Sequence, residues 1–344
     1  MRLGDWLHAA KRVPALAAEL LHDAADFKAQ LHAAVAGTVT PMAGDQLFVP
    51  PILGTSNPAL RVPFVNMTQA TPVGIDGHSI PSYTNFRYYG ETLLAAALPS
   101  HIEQAISSFR ETHGGTLSGM TRYTDHLDDM PALGYGFSSL LHFNSAKFHG
   151  LLFGHLANYH SHGTFFTSEQ MSIYGDGPSR DLIHPGCVRC VDTDYCLPAA
   201  MLPAFFLKWM LVFAPPDPAD ELWLAREAPR RWYTAEGFAI ERAPTHLGSV
   251  SLQVSATDPP SAQGPWVVNA RVTVVSPNAG AAGGPNTIQL RMRAPPQAAS
   301  ANASMGTARV VGAQLASQNR STEMVEITCG SEQEASFSVV VVFS

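Results

Sequence analysis

The feature that most constrains this chain is a change of pattern at Pro215. Before it, apolar residues recur at helical spacing. After it come short segments rich in Val, Ile, Thr and aromatics, separated by Gly, Pro, Asn and Ser turns. The strand-like segments are Leu222–Ala225, Phe238–Arg242, Ser249–Ser255, Trp266–Val275, Thr287–Met292, Ala308–Gln314, Met324–Thr328 and Ala335–Phe343. Short strands with regular turns predict an antiparallel β-sandwich. With 344 residues the chain is long enough for two domains with separate cores. The expected organisation is α+β as two domains: α-helical hairpins over 1–220 and a β-sandwich over 221–344.

Within the helical part, residues 3–36 have helical spacing, with Pro14 starting a second helical piece or kinking the first. Thr38–His78 is rich in Pro, Gly, Asn and Thr without a period, which fits loops. Further helices are expected over Ser82–Leu98, His101–Glu111, Phe137–Tyr159 and Leu197–Phe213. The last is nearly all apolar, yet Pro203 and a central Lys208 argue for a buried helix and against a membrane span. Nothing near the N-terminus resembles a secretory signal. A net charge of −7 without a basic stripe argues against nucleic acid as a partner.

The chemistry-bearing stretch is Ser118–Gly136, which gathers Arg122, Tyr123, Asp125, His126, Asp128, Asp129 and Tyr135 in a chain only 14% charged. On a helix Asp125, Asp128 and Asp129 would share a face, and crowded carboxyls divide into an acid and a base. Asp129, before Met130-Pro131, equally suits a helix N-cap, and Asp125 or Asp128 an ion pair with Arg122. Glu169, after Gly163-Thr-Phe-Phe-Thr-Ser, is the carboxyl partner expected from elsewhere, or a glutamate in a helix's first turn. Tyr83, Tyr88, Tyr89, Tyr123 and Tyr135 offer rings and hydroxyls to a sugar, or core packing. Among the many histidines, His126 and His162 stand beside acid or glycine and are acid/base candidates. The others read as surface or core residues.

His184, Cys187, Cys190 and Cys196 have zinc-like spacing, but only one knuckle is present where structural sites pair two, so no metal is assigned. A disulfide among the three cysteines and free thiols are both open. Asp192 and Asp194 suit a cap on the helix starting near Pro198 better than a calcium site. Sequons at Asn66, Asn302 and Asn319 leave the compartment undetermined.

The runs Gly119-Met-Thr-Arg-Tyr-Thr-Asp-His-Leu-Asp-Asp-Met-Pro-Ala-Leu-Gly-Tyr-Gly, Gly163-Thr-Phe-Phe-Thr-Ser-Glu-Gln, Leu222-Trp-Leu-Ala-Arg-Glu-Ala-Pro-Arg-Arg-Trp and Ile240-Glu-Arg-Ala-Pro-Thr-His-Leu-Gly-Ser-Val-Ser resemble the C-terminal part of uncharacterised proteins with six-hairpin, glycosidase-like (α/α) toroids and a trailing β domain. The resemblance spans roughly residues 60–255. It implies a carbohydrate-active enzyme acting on an oligo- or polysaccharide without a cofactor. Asp125, Asp128 or Asp129 would work with Glu169 across the scissile bond, aided by Arg122, His126 and Tyr123. The stretch before residue 215 holds too few helices to close such a toroid, so the toroid is expected to be incomplete or the chain part of a larger parent, in which case secretion is open. A polysaccharide lyase using Asn85, Arg87, Tyr159 or His160 is an alternative expectation. So is a non-catalytic sugar-binding or structural module.

Overall fold

The computed structural model describes residues 13–41, 47–49, 98–112, 115–123, 126–159, 167, 170–172, 196–216, 218–257, 264–276, 285–300, 304–329 and 334–343. The helix expected over Ser82–Leu98, apart from its last residue, and the cysteines at 187 and 190 lie outside these residues. The protein is a mixed α+β chain with several sheets, antiparallel apart from one strand pair. It divides into two compact units, His22–Phe206 and Leu207–Ser344, the latter grouped with the chain up to Leu21.

Helix α1 runs Pro14–Ala36 and starts at the proline, whose fixed φ suits a first turn. Thr38 closes its end, the hydroxyl donating to Ala34 O at 2.8 Å. In the helical unit, Val35 packs with Phe48, Val49, Ile102, Ile106 and Phe109 in one apolar cluster. Phe48 belongs to β2 (Leu47–Phe48), which pairs with β1 (Thr40–Pro41). Ile102, Ile106 and Phe109 lie on α2 (Ser100–Thr112).

A four-stranded antiparallel sheet follows, in the order β3 (Thr116–Leu117), β4 (Met120–Tyr123), β5 (His126–Asp128), β6 (Gln170–Ser172). Its first turn carries Ser118 and Gly119 at φ 53° and 80°. A Cβ on Gly119 would collide with the Gly150 carbonyl, and one on Gly154 would lie 2.6 Å from Ser118 O. Glycines on both sides therefore let this turn sit on a helix backbone.

The single helix expected over Phe137–Tyr159 is two helices, α3 (Met130–Leu141) and α4 (Ser145–Tyr159). The break has a local cause. Phe143 adopts φ 54°, and Asn144 N–H bonds back to Ser139 O at 2.8 Å, closing α3. Asn144 Oδ1 then accepts from Lys147 N–H at 3.2 Å and caps α4. Helix α5 covers Leu197–Leu211, 15 residues or about 22 Å at 1.5 Å per residue. No helix among the described residues is long and apolar enough to cross a membrane.

From Val212 onward the chain builds two five-stranded sheets. The first has the order β13 (Met305–Val311), β16 (Glu334–Phe343), β11 (Trp266–Val275), β10 (Gly248–Thr257), β9 (Phe238–Thr245), all antiparallel. The second has the order β14 (Gln314–Asn319), β15 (Met324–Thr328), β12 (Thr287–Arg291), β8 (Glu221–Leu224), β7 (Val212–Phe213), with β12 and β8 parallel. Residues alternate between buried and solvent-facing along β10, β11 and β16. Val250, Leu252 and Val254 thus share a buried face with Val268, Ala270, Val272, Val339 and Val341.

Ala308–Gln314, expected as one strand, instead spans a reversal. Gly312 at φ 93° turns the chain from β13 in one sheet to β14 in the other. Gln318 ties the two together: its side-chain oxygen accepts from Ala308 N–H at 2.9 Å and its amide nitrogen donates to Gly306 O. A five-residue helix, α6 (Pro296–Ser300), lies between β12 and β13.

Candidate functional site

The structure separates the residues picked out by sequence. Asp125, His162, Glu169, Tyr83, Tyr88 and Tyr89 lie outside the described residues. Arg122 and Tyr123 are in β4 and His126 and Asp128 in β5, with Tyr123 opposite His126 and Asp128 opposite Gln170. The helical spacing drawn for Asp125, Asp128 and Asp129 therefore does not apply, because Asp128 is on a strand. Nor does a helix follow Glu169, since Gln170 opens β6.

Asp129 does precede α3 with Pro131 in the first turn, but its backbone is helical (φ −82°, ψ −33°) and its side chain caps nothing. It is 2% exposed. Its Oδ2 accepts a hydrogen bond from the Cys196 thiol at 3.6 Å. Cys196 is itself fixed by Thr167, N–H to carbonyl at 3.0 Å and hydroxyl to carbonyl at 3.0 Å. Asp129 thus joins the starts of α3 and α5. Tyr135, expected to stack on sugar, is 3% exposed and donates its hydroxyl to Glu111 Oε1 at 2.5 Å. It is a packing residue with a polar tip.

What the helical unit does offer is a polar groove between α2, α3 and the start of α4, about 290 Å³ in volume. Ser107, Ser138 and Ser139 are its buried lining, while Gln104, Ser108, His142, Asn144 and Lys147 line its outer part. The serines leave hydroxyls on the walls. Ser139 Oγ donates to Tyr135 O at 2.8 Å. At one end Lys147 Nζ lies 2.6 Å from Glu111 Oε1, the same oxygen that Tyr135 reaches.

At the other end the His142 ring lies between two α2 side chains. Its Nε2 is 2.9 Å from Glu103 Oε2, and its Nδ1 is 3.4 Å from Gln104 Nε2. The approach to Glu103 is close but lacks hydrogen-bond geometry, and His142 Nε2 has no hydrogen-bond partner among the described residues. Glu103 is 1% exposed, and its other oxygen has no hydrogen-bond partner among the described residues. The buried carboxylate stands behind the imidazole and limits how the ring can turn. His142 carried no distinguishing signal in the sequence, because Glu103 lies on another helix.

A second charged cluster, in the β unit, is structural. Glu323 accepts both Arg230 Nη atoms at 2.9 and 2.8 Å, accepts the Ala294 N–H at 2.9 Å, and lies 3.6 Å from Arg293 Nε. Arg291 Nη1 donates to Arg226 O at 2.8 Å and Tyr233 donates to Arg291 O at 2.8 Å. Arg226 stacks on Trp223 with its guanidinium carbon 3.6 Å from the ring centre. Burial lowers the Arg226 pKa to about 10, against an attraction to Glu227 that raises it. Burial also lowers that of Arg291, joined by Arg293, and raises that of Tyr233. These groups staple the segment after β8 to β12 and the β14–β15 turn.

Among the described residues no group of His, Cys, Asp and Glu is arranged to hold a metal ion. Neither Cys196 nor Cys329 is in a disulfide. No protein-family model, curated protein or solved structure matches this chain.

Proposed function

We propose that this protein is carbohydrate-active and of the glycoside-hydrolase type, an incomplete (α/α) toroid-like helical unit followed by a β-sandwich, with its ligand taken in the helical unit. The observation that carries this reading is the chemistry of the groove. Hydroxyl, amide, imidazole and ammonium groups line it, which suits the dense hydroxyls of a neutral sugar. Its volume of about 290 Å³ is at the small end for ligand sites, which suits a short saccharide segment.

In this reading His142, held by Glu103, takes or returns a proton at Nδ1, within reach of a sugar hydroxyl. Asp125, Asp128 and Glu169 are the carboxyls proposed as acid and base. Asp129 is assigned to the structure by its burial. A second reading is supported by the groove itself, where neither glutamate presents a free carboxyl: Glu103 is buried against His142 and Glu111 is engaged by Tyr135 and Lys147. That arrangement favours sugar binding without turnover.

The test is hydrolysis of a panel of oligo- and polysaccharides by wild type, Asp125→Asn, Asp128→Asn and His142→Ala, with thermal melts on each. Turnover lost in an aspartate variant that melts normally supports the hydrolase. Binding without turnover, weakened in His142→Ala, supports the module. Unsaturated products would point to a lyase, and neither binding nor turnover on any sugar would refute the carbohydrate reading.

A further inference from the structure

The first sheet of the β unit buries one face, and its other face carries a shallow depression of about 460 Å³. Two neighbouring cross-strand rows form it, Gln253–Arg271–Ser338 and Ser255–Asn269–Val340, on β10, β11 and β16. Their chain neighbours Val254, Ala270 and Val339 point to the buried side, which makes the platform rigid. The strand beyond adds Arg309, opposite Val340 and exposed.

Polar side chains just outside the depression are already engaged. Ser251 Oγ accepts from Arg242 N–H at 3.0 Å, and Thr273 and Ser336 share a hydrogen bond at 3.2 Å. Those inside are not: among the described residues the side chains of Gln253, Ser255, Asn269, Arg271 and Ser338 make no hydrogen bond or ion pair. The two rows hold Arg271 and no carboxylate, and Arg309 adds a second arginine beside them, in a chain whose net charge is −7. By strand spacing and rise, Arg271 and Arg309 are roughly 12 Å apart.

We propose that this face binds an acidic oligosaccharide, one carrying uronate carboxylates. Arg271 takes a carboxylate with its guanidinium fork. Asn269, Gln253 and the serines bond to ring hydroxyls, and Val340 with the aliphatic stem of Arg271 meets the sugar's C–H face. A peptide is a poorer fit. An extended peptide needs a sheet edge, whereas these strands are internal, and a helical one needs an apolar groove that a single valine does not provide. The site lies on the β unit and does not rest on the reading given to the groove of the helical unit.

The experiment is calorimetric titration of the full chain with an oligogalacturonate, a neutral gluco-oligosaccharide of equal length and an oligoglutamate. Wild type is compared with Arg271→Ala and Asn269→Ala, and with Arg320→Ala, which removes the same charge from an exposed position in the β14–β15 turn. The expected result is tighter binding of the oligogalacturonate than of either other probe, weakened about tenfold or more in Arg271→Ala and several-fold in Asn269→Ala, and unchanged in Arg320→Ala. Equal affinity in Arg271→Ala, equal binding of oligoglutamate, or no binding by wild type would each overturn the proposal. Arg271 is solvent-facing, so circular dichroism of its variant should match wild type and loss of binding will not reflect loss of fold.

Discussion

The Glu103–His142 pair yields a prediction with a definite order. Glu103 is buried, with His142 Nε2 at 2.9 Å as its partner and its second oxygen without one. Replacing His142 by Ala strands a carboxylate in the protein interior. Breaking a buried pair in this way costs about 3–5 kcal/mol. The low end applies, because the His142 side chain is 18% exposed and water can partly fill its place. Replacing Glu103 by Gln removes the charge but keeps an oxygen facing Nε2–H, so the loss is about 1 kcal/mol. The double variant strands nothing and should lie nearer Glu103→Gln than the sum of the two. Urea unfolding at neutral pH measures all three. If Glu103→Gln proves the more damaging single change, or the two effects add, the carboxylate is not held by the imidazole and the groove chemistry argued above loses its base.

Glu323→Ala should cost about 3 kcal/mol, since it removes the one carboxylate shared by Arg230 and Arg293 and leaves them only the Ala294 and Ala228 carbonyls; Glu323→Gly should cost about 1 kcal/mol less, because residue 323 sits at φ 57°, as denaturation midpoints will show. Gly119→Ala should lower the melting temperature markedly, by the collision with Gly150 and the φ of 80°, while Gly37→Ala, whose Cβ has ordinary room, should not. Burial pushes the Cys329 thiol from 9.0 up to about 11, so its alkylation at pH 8 should be roughly a hundredfold slower than in the unfolded chain. Because the folded pKa is the higher one, the associated stability is intact below pH 9 and is lost as pH rises toward 11, which a pH series of melts will detect.

How far the sequence could be read depended on whether a segment's partner was local. Trp266–Val275 and Met324–Thr328 were expected and found with those same ends, because alternation and β-branched residues are written in the strand itself. Gln314–Asn319 was missed, being polar and largely exposed with no apolar alternation. His126–Asp128 is not legible as a strand, because three residues carry no period of their own and one of its two pairing strands lies beyond residue 169. The break at Phe143 was hidden by apolar residues on both sides. The groove was the least legible part: its histidine and glutamate are on different helices, and nothing in either neighbourhood announces the other.

The position of β16 has a consequence for synthesis. This strand is internal to the first sheet, between β11 and β13, and it is made after every other strand of that sheet. Until residues 334–343 arrive, β11 and β13 each present a full unpaired edge, and the valines of the buried face have no cover on that side. A ribosome working through this gene therefore carries an open β11 rim once Val275 is made, and two open rims once Val311 is made, until β16 emerges to fill the gap. Holding such a nascent chain apart from its neighbours is a burden set by strand order, whatever the stability of the finished fold.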